Sequence, residues 1–279
     1  MCELLGINAA RPITARFSLR RLARRGRVAG QPIDGWGVVL HDGDDVRYYR
    51  EPEPAGKSAW LRFLERHQPP ARIVISHIRL ATAGTVALRN THPFVRELGG
   101  RMHSFAHNGR LPGIEALGTG EGNCFHPVGE SDSERAFCIL LGRLAALWRG
   151  AVPNAAARLA AITRFAADLR ALGPANFLYS DGEYLFAHGH RRHQKNGRIE
   201  PPGLWHLACS CADTGMAVRD AGIALAADTA PGRVDVFASV PLSRAPWRPL
   251  GEGEIVMAAA DQPRRLAFPS GVSISGGGG

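Results

Sequence analysis

The sequence lacks any run of about 18 apolar residues, the length that a membrane-spanning helix needs. Its N-terminus also lacks the basic-then-apolar pattern of a secretion signal. Both absences argue against export and membrane insertion, so the cytoplasm is the expected compartment. Cysteine is sparse and odd in number: Cys2, Cys124, Cys138, Cys209 and Cys211. Five cysteines with no signal for an oxidising compartment do not suggest a disulfide framework. Cys209-Ser210-Cys211 has His206 nearby but no second pair at zinc spacing, and a packing role is expected there instead of a metal site. Lysine is nearly absent: of 34 basic residues only Lys57 and Lys195 are lysines. The formal charge of +9 would by itself favour nucleic acid. However, the densest cluster, Arg20, Arg21, Arg24, Arg25 and Arg27, falls where Leu19, Leu22 and Ala23 repeat at helical spacing and reads as a solvated helix face. Aromatics make up only 7% of the chain and do not interleave with the arginines as a stacking platform would. Nucleic acid is therefore not an expected partner. No internal repeat is evident, which excludes a solenoid.

What is present is a chain of 279 residues, 45% hydrophobic, long enough for one large domain with a substantial core. Apolar, β-branched runs bounded by turn residues predict strands at Leu4–Asn8, Trp36–Leu40, Val46–Tyr49, Ile73–Ile78 and Ser104–His107. A second group follows at Asn176–Ser180, Tyr184–His188, Leu204–Cys209, Val234–Ser239 and Ile255–Ala258. Gly43-Asp44-Asp45 and Asp181-Gly182-Glu183 read as hairpin turns. Between the strand groups lie two helical stretches, Ser133–Trp148 and Asn154–Leu172. Ser131 and Glu134 have the spacing of a capping box at the start of the first. Strands, then helices, then strands predict two sheets with helices outside. We assign residues 1–260 to one domain and 261–279 to a C-terminal extension with a glycine-rich end.

Several polar clusters lie at strand ends, where a rigid scaffold can present chemistry. Cys2 directly follows the initiator methionine. Once Met1 is removed, Cys2 carries a thiol and an α-amine on one residue, and an α-amine titrates near pH ~8, so it can accept the thiol proton. His77 and Arg79 alternate onto one face of a strand, where the arginine offers a planar fork for a carboxylate or a surface salt bridge. His107-Asn108-Gly109 ends a strand in a turn-like Asn-Gly. Beside a nucleophile, the Asn108 amide and the Gly109 N–H could instead give two hydrogen bonds to an oxyanion. Asp132 at a helix start either complements the helix dipole or holds an ammonium. Asn90-Thr91-His92-Pro93 puts a histidine in an extended or turn segment. The glycines of Asp34-Gly35-Trp36-Gly37 suggest tight packing.

In this order, with His77-x-Arg79-x-Ala81-Thr82-x-Gly84 and Ser131-Asp132-Ser133-Glu134 in place, the motifs resemble those of the class II glutamine amidotransferases. These form the glutaminase branch of the N-terminal-nucleophile hydrolases. Thr91 to Leu98, Ser131 to Phe137, Asn176-Phe177-Leu178-Tyr179-Ser180-Asp181-Gly182 and Ala238 to Leu242 look like signatures of the stand-alone members. The resemblance implies an α+β fold, a four-layer αββα sandwich, and an enzyme without cofactor or metal. By it, Cys2 would attack the side-chain amide of glutamine, with Asn108 and Gly109 as the oxyanion hole. Arg79 would bind the α-carboxylate and Asp132 the α-ammonium, while Thr82 and His92 line the pocket. Two positions differ from synthase-linked members, which have tryptophan at Leu80 and histidine at Ala83, so the pocket wall differs. The likeness uses nearly the whole chain, so either a separate enzyme accepts the ammonia or the amide is simply hydrolysed. A larger γ-glutamyl amide, as in small-thiol biosynthesis, is the alternative substrate. A non-catalytic protein that keeps the glutamine pocket is the alternative outside enzymes.

Overall fold

The computed structural model describes residues 2–17, 34–79, 85–118, 124–194, 196–209, 223–226, 232–259 and 265–268. The arginine cluster at Arg20 to Arg27, the pocket candidate Thr82 and the second cysteine of Cys209-Ser210-Cys211 lie outside these residues. In chain order the first strands are β1 (Glu3–Phe17), β2 (Gly35–Asp42), β3 (Asp45–Glu51), β4 (Ala71–Arg79), β5 (Phe94–Leu98) and β6 (Arg101–Gly109). Then come β7 (Ala175–Ser180), β8 (Tyr184–His188), β9 (Arg192–His193), β10 (Ile199–Glu200) and β11 (Trp205–Cys209). The last are β12 (Ile223–Ala226), β13 (Val234–Ala238), β14 (Arg248–Pro249), β15 (Ile255–Ala259) and β16 (Arg265–Ala267). Three α-helices accompany them among the described residues: α1 (Ala59–His67), α2 (Asp132–Trp148) and α3 (Ala155–Leu172).

One sheet of eight strands runs β14-β11-β13-β1-β4-β2-β3, with β12 also on β1, and a sheet of six runs β16-β15-β8-β7-β6-β5. Their neighbours pair antiparallel throughout. Side chains alternate across a strand, and the three apolar clusters show where each face goes. In β1, Leu5 and Ile7 pack outward with Leu61 and Leu64 of α1. Leu4 of the same strand faces the second sheet, where it meets Ile73, Ile75, Ala106 and Leu178. On the far side of the second sheet, Phe105 and Phe177 pack against Phe137 of α2 and Phe165 of α3. Helix, sheet, sheet and helix therefore form four layers, the expected αββα order, with both faces of β1 buried.

The predicted strands and both predicted helices are present, as are the two hairpin turns linking β2 to β3 and β7 to β8. Three features differ from expectation. Strand β1 continues to Phe17 through Arg11-Pro12, because the β4 pairing shifts register between Asn8 and Ile13 and absorbs the proline in an irregularity. The short helix α1 and the strands β5, β9, β10, β12, β14 and β16 are not among the expected elements. In α1, Leu61 and Leu64 are buried while Trp60 and Phe63 on the same apolar side are exposed. The capping box forms only by half. Ser131 Oγ accepts from Ser133 N, but Glu134 turns to Gly129 N and the Arg96 guanidinium. No helix among the described residues is long and apolar enough to cross a membrane.

Candidate active site

The alternation that builds the core also gathers the polar candidates. His77 and Arg79 share the face of β4 that Ile73 and Ile75 turn toward the second sheet. Asn108 shares the face of β6 that Ala106 turns toward the first. Glu3 pairs with Ile78 and Leu4 with His77, so Cys2, one residue earlier, lies at the end of β1 beside Arg79. The candidates from β1, β4 and β6 thus meet at one end of the space between the sheets.

Cys2 is half-buried and not in a disulfide. Asn108 Nδ2 donates to the Cys2 carbonyl oxygen at 2.8 Å, and its other proton is directed to Ser239 Oγ at 3.2 Å. The Asn108 carbonyl oxygen faces His77 Nε2 at 3.0 Å. From the neighbouring strand, Asn176 Nδ2 donates to the Asn108 backbone oxygen at 3.2 Å and to Arg191 O at 2.8 Å. The site residue is thereby held at both its backbone and its side chain.

Gly109 has φ +156°, and a Cβ there would lie 1.7 Å from the Pro174 oxygen. Only glycine allows β6 to end against Pro174 in this way. Gly109→Ala is expected to lower stability by more than ~1 kcal/mol, read as a fall in the thermal midpoint. Gly37 serves a similar purpose: a Cβ there would sit 2.2 Å from the His92 oxygen. This accounts for the tight packing predicted for Asp34-Gly35-Trp36-Gly37, whose Trp36 is buried and donates through Nε1 to Glu51 at 3.1 Å.

Asp132 is the first residue of α2 and is tied to the segment just beyond Gly109. Its Oδ2 accepts from Leu111 N at 2.8 Å and its Oδ1 accepts from Ser133 Oγ at 3.2 Å. Because the Ser133 proton goes to Asp132, His107 Nδ1, 2.8 Å from Ser133 Oγ, is the donor in that pair. The carboxylate therefore keeps a fixed direction while remaining half-exposed. His92 is buried and packs its ring on His77, with centroids 4.3 Å apart, and on Phe94 at 4.5 Å. Neither of its ring nitrogens has a hydrogen-bond partner among the described residues. Burial holds His92 well below the ordinary histidine range, with His77, His107, Arg79 and Arg50 adding to the effect. It is a neutral ring against the site. Arg79 is buried beside both histidines.

Sequence reasoning passed over a second layer behind Cys2. Glu3 is buried and ion-paired with Arg192 at 3.0 Å, and Arg192 also donates to the Ser239 backbone oxygen. Ser239 Oγ accepts from Leu4 N at 2.9 Å as well as from Asn108, and its hydroxyl bonds to Glu3. The available signal was a carboxylate at position 3 inside an otherwise apolar buried strand, which requires a partner. A comparable clamp joins the two loops at the site's edge. Glu130 accepts from Arg89, Asn90 and Thr85, while Asn90 Oδ1 accepts from Glu130 N at 3.0 Å. Among the described residues no cluster of three or more His, Cys, Asp or Glu side chains could hold a metal ion.

A half-buried cysteine whose carbonyl is held by the Asn108 amide, a buried guanidinium at the neighbouring strand end and a carboxylate of fixed direction are groups suited to covalent attack on the amide of an amino acid. Comparison with known proteins gives the family of the chain. The family "Glutamine amidotransferases class-II" matches residues 1–273. The Escherichia coli (strain K12) protein YafJ, whose name carries a provisional assignment as a glutamine amidotransferase, is 43% identical over 188 residues, covering 67% of this chain and 72% of its own. The uncharacterized protein MJ1515 of Methanocaldococcus jannaschii is 31% identical over 266 residues, covering 92% of this chain and 69% of its own. A crystal structure from Pseudomonas aeruginosa PA01, described as a predicted glutamine amidotransferase, superposes with a TM-score of 0.66 at 30% identity, covering 94% of this chain and 98% of that one. The glutamine phosphoribosylpyrophosphate amidotransferase of B. subtilis shares the fold at 16% identity, with a TM-score of 0.59 over 96% of this chain and 49% of that one. The chain belongs to the class II glutamine amidotransferases.

Proposed function

We propose that the protein hydrolyses the side-chain amide of glutamine through a Cys2 thioester. The observation that carries this reading is the 2.8 Å hydrogen bond from Asn108 Nδ2 to the Cys2 carbonyl oxygen, which joins residues 106 positions apart in the chain. After Met1 is removed, the Cys2 α-amine takes the thiol proton and the thiolate attacks the amide carbon. The carbonyl oxygen becomes an oxyanion, which Asn108 Nδ2 and the Gly109 N–H stabilise. Of the two Asn108 protons, the one directed to Ser239 at 3.2 Å makes the longer bond and is the one that turns to the oxyanion. The α-ammonium returns its proton to the leaving nitrogen, ammonia departs, and water then cleaves the thioester to give glutamate. Arg79 holds the substrate α-carboxylate and Asp132 its α-ammonium, with His92 and Thr82 as pocket wall.

Asn108→Ala is expected to lower kcat by ~10²- to 10³-fold with KM little changed, since the donor acts on charge that exists only in the transition state. Steady-state kinetics on glutamine checks this. The reading itself is tested by supplying glutamine and a panel of bulkier γ-glutamyl amides to protein whose Met1 has been removed. Ammonia and glutamate from glutamine support it. Turnover of a bulkier amide with little turnover of glutamine would keep the Cys2 chemistry but change the substrate. No product from any of them would overturn it.

A further inference from the structure

His77 lies directly behind the Asn108 amide, and the reaction scheme above leaves it without a task. It is fully buried on β4, opposite Leu4 in the register, and its ring plane is set by the His92 ring 4.3 Å away. Its Nε2 is 3.0 Å from Asn108 Oδ1. The proton between them can be assigned from the other end of the amide. The Cys2 carbonyl can only accept, so the Asn108 atom 2.8 Å from it is the NH₂ group. The Asn108 carbonyl therefore faces His77, and because it too can only accept, His77 Nε2 carries a hydrogen. Nδ1 has no hydrogen-bond partner among the described residues, which leaves the neutral Nε2–H tautomer. Burial drives the ring down to about 3, and the neighbouring His107 and Arg79 add to that effect.

Resting on the glutaminase reading, we propose that His77 is a positioning residue for the oxyanion hole. Its Nε2–H locks the Asn108 side chain so that the NH₂ group, and not the carbonyl, faces the reacting centre at Cys2. The need for a lock follows from the shape of the group. The two ends of an asparagine amide are nearly the same size, so packing alone discriminates poorly between its two orientations. Reversed, the amide would set its oxygen against the Cys2 carbonyl and the developing oxyanion, turning a stabilising donor into a repulsion. Ser239 Oγ, whose one proton goes to Glu3, accepts at the NH₂ end of the amide, while His77 supplies the donor at the carbonyl end.

The test compares His77→Leu, which removes the donor, with His77→Gln, whose side-chain NH₂ can reach the position of Nε2. His77→Leu is expected to lower kcat by ~10²-fold with KM within about threefold, while His77→Gln recovers most of the loss. A role in packing alone would damage both variants alike. An independent readout is the Asn108 side-chain signal in a ¹H–¹⁵N spectrum of asparagine-labelled protein, identified by its loss in Asn108→Asp. It should shift and exchange faster with solvent in His77→Leu but not in His77→Gln. Unchanged kcat in His77→Leu, equal impairment of the two variants, or an unmoved Asn108 signal would each overturn the proposal. A wild-type protein inactive on every γ-glutamyl amide would sink the glutaminase reading instead, and the Asn108 signal would still decide the orientation.

Discussion

Cys2→Ala is expected to abolish ammonia release from glutamine, by ~10⁴-fold or more, without changing the thermal midpoint. The size follows from losing the covalent route: removal of a nucleophile that acts together with its base leaves only binding and the oxyanion hole. The unchanged midpoint follows from location, since Cys2 precedes β1 and is only half-buried. A second variant separates the thiol from the amine. A short N-terminal extension that blocks methionine removal keeps the thiol but moves the α-amine away from Cys2, and activity is expected to fall to a similar degree. Full activity with the extension would assign the base elsewhere. Ammonia assays on the two proteins, normalised to folded protein, give the result.

Acid sensitivity is the second large effect. His41 and His77 are pushed down to about 3 and His103 to about 4, in each case chiefly by burial. His92, His107 and His188 are shifted in the same direction by the same cause. An unfolded histidine titrates near ~6.5. The folded pKa is the lower one, so these groups add stability that is complete above the unfolded value and is lost as pH falls toward the folded one. Between pH 7 and 5 each of the three with a stated value removes ~2 kcal/mol, ~6 kcal/mol together, comparable to the whole stability of a domain. His190 is lowered too, while buried Glu3 and Asp181 are raised by desolvation and act in the opposite sense, two groups against seven. Urea titrations at pH 7, 6 and 5 are expected to show a steep fall in unfolding free energy. A flat profile would mean that these rings reach water or acquire partners when charged.

Much of the fold could be read from the sequence because β1, β4, β6 and β7 are buried on both faces and so appear as short apolar runs. Their ends could also be read, since Asn108-Gly109 and Arg79 interrupt those runs with groups that have little reason to be there otherwise. What escaped depends on contacts made late in the fold. Helix α1 has a clear apolar face but is only nine residues long, and β5 carries Arg96 and Glu97 at exposed or half-exposed positions, so it shows no clean period. The capping-box spacing of Ser131 and Glu134 was present, but Arg96 and Gly129 compete for the carboxylate. The Glu3–Arg192 pair spans 189 positions, and no local pattern encodes it. The bond of His77 to Asn108 is similar: the motif contains the histidine, but only the register of β4 and β6 across the two sheets reveals its partner.

The most direct test of the account is the mass of the intact protein after exposure to a glutamine-analogue electrophile. The prediction is a chain without Met1 that gains a single label, located on the Cys2 peptide, at a rate that glutamine suppresses. Cys124, the exposed thiol, serves as the internal control and should react slowly and without protection by glutamine. A chain that has lost Met1 yet gains no mass at Cys2, or is labelled as fast at Cys124, would contradict the assignment of Cys2 as the nucleophile.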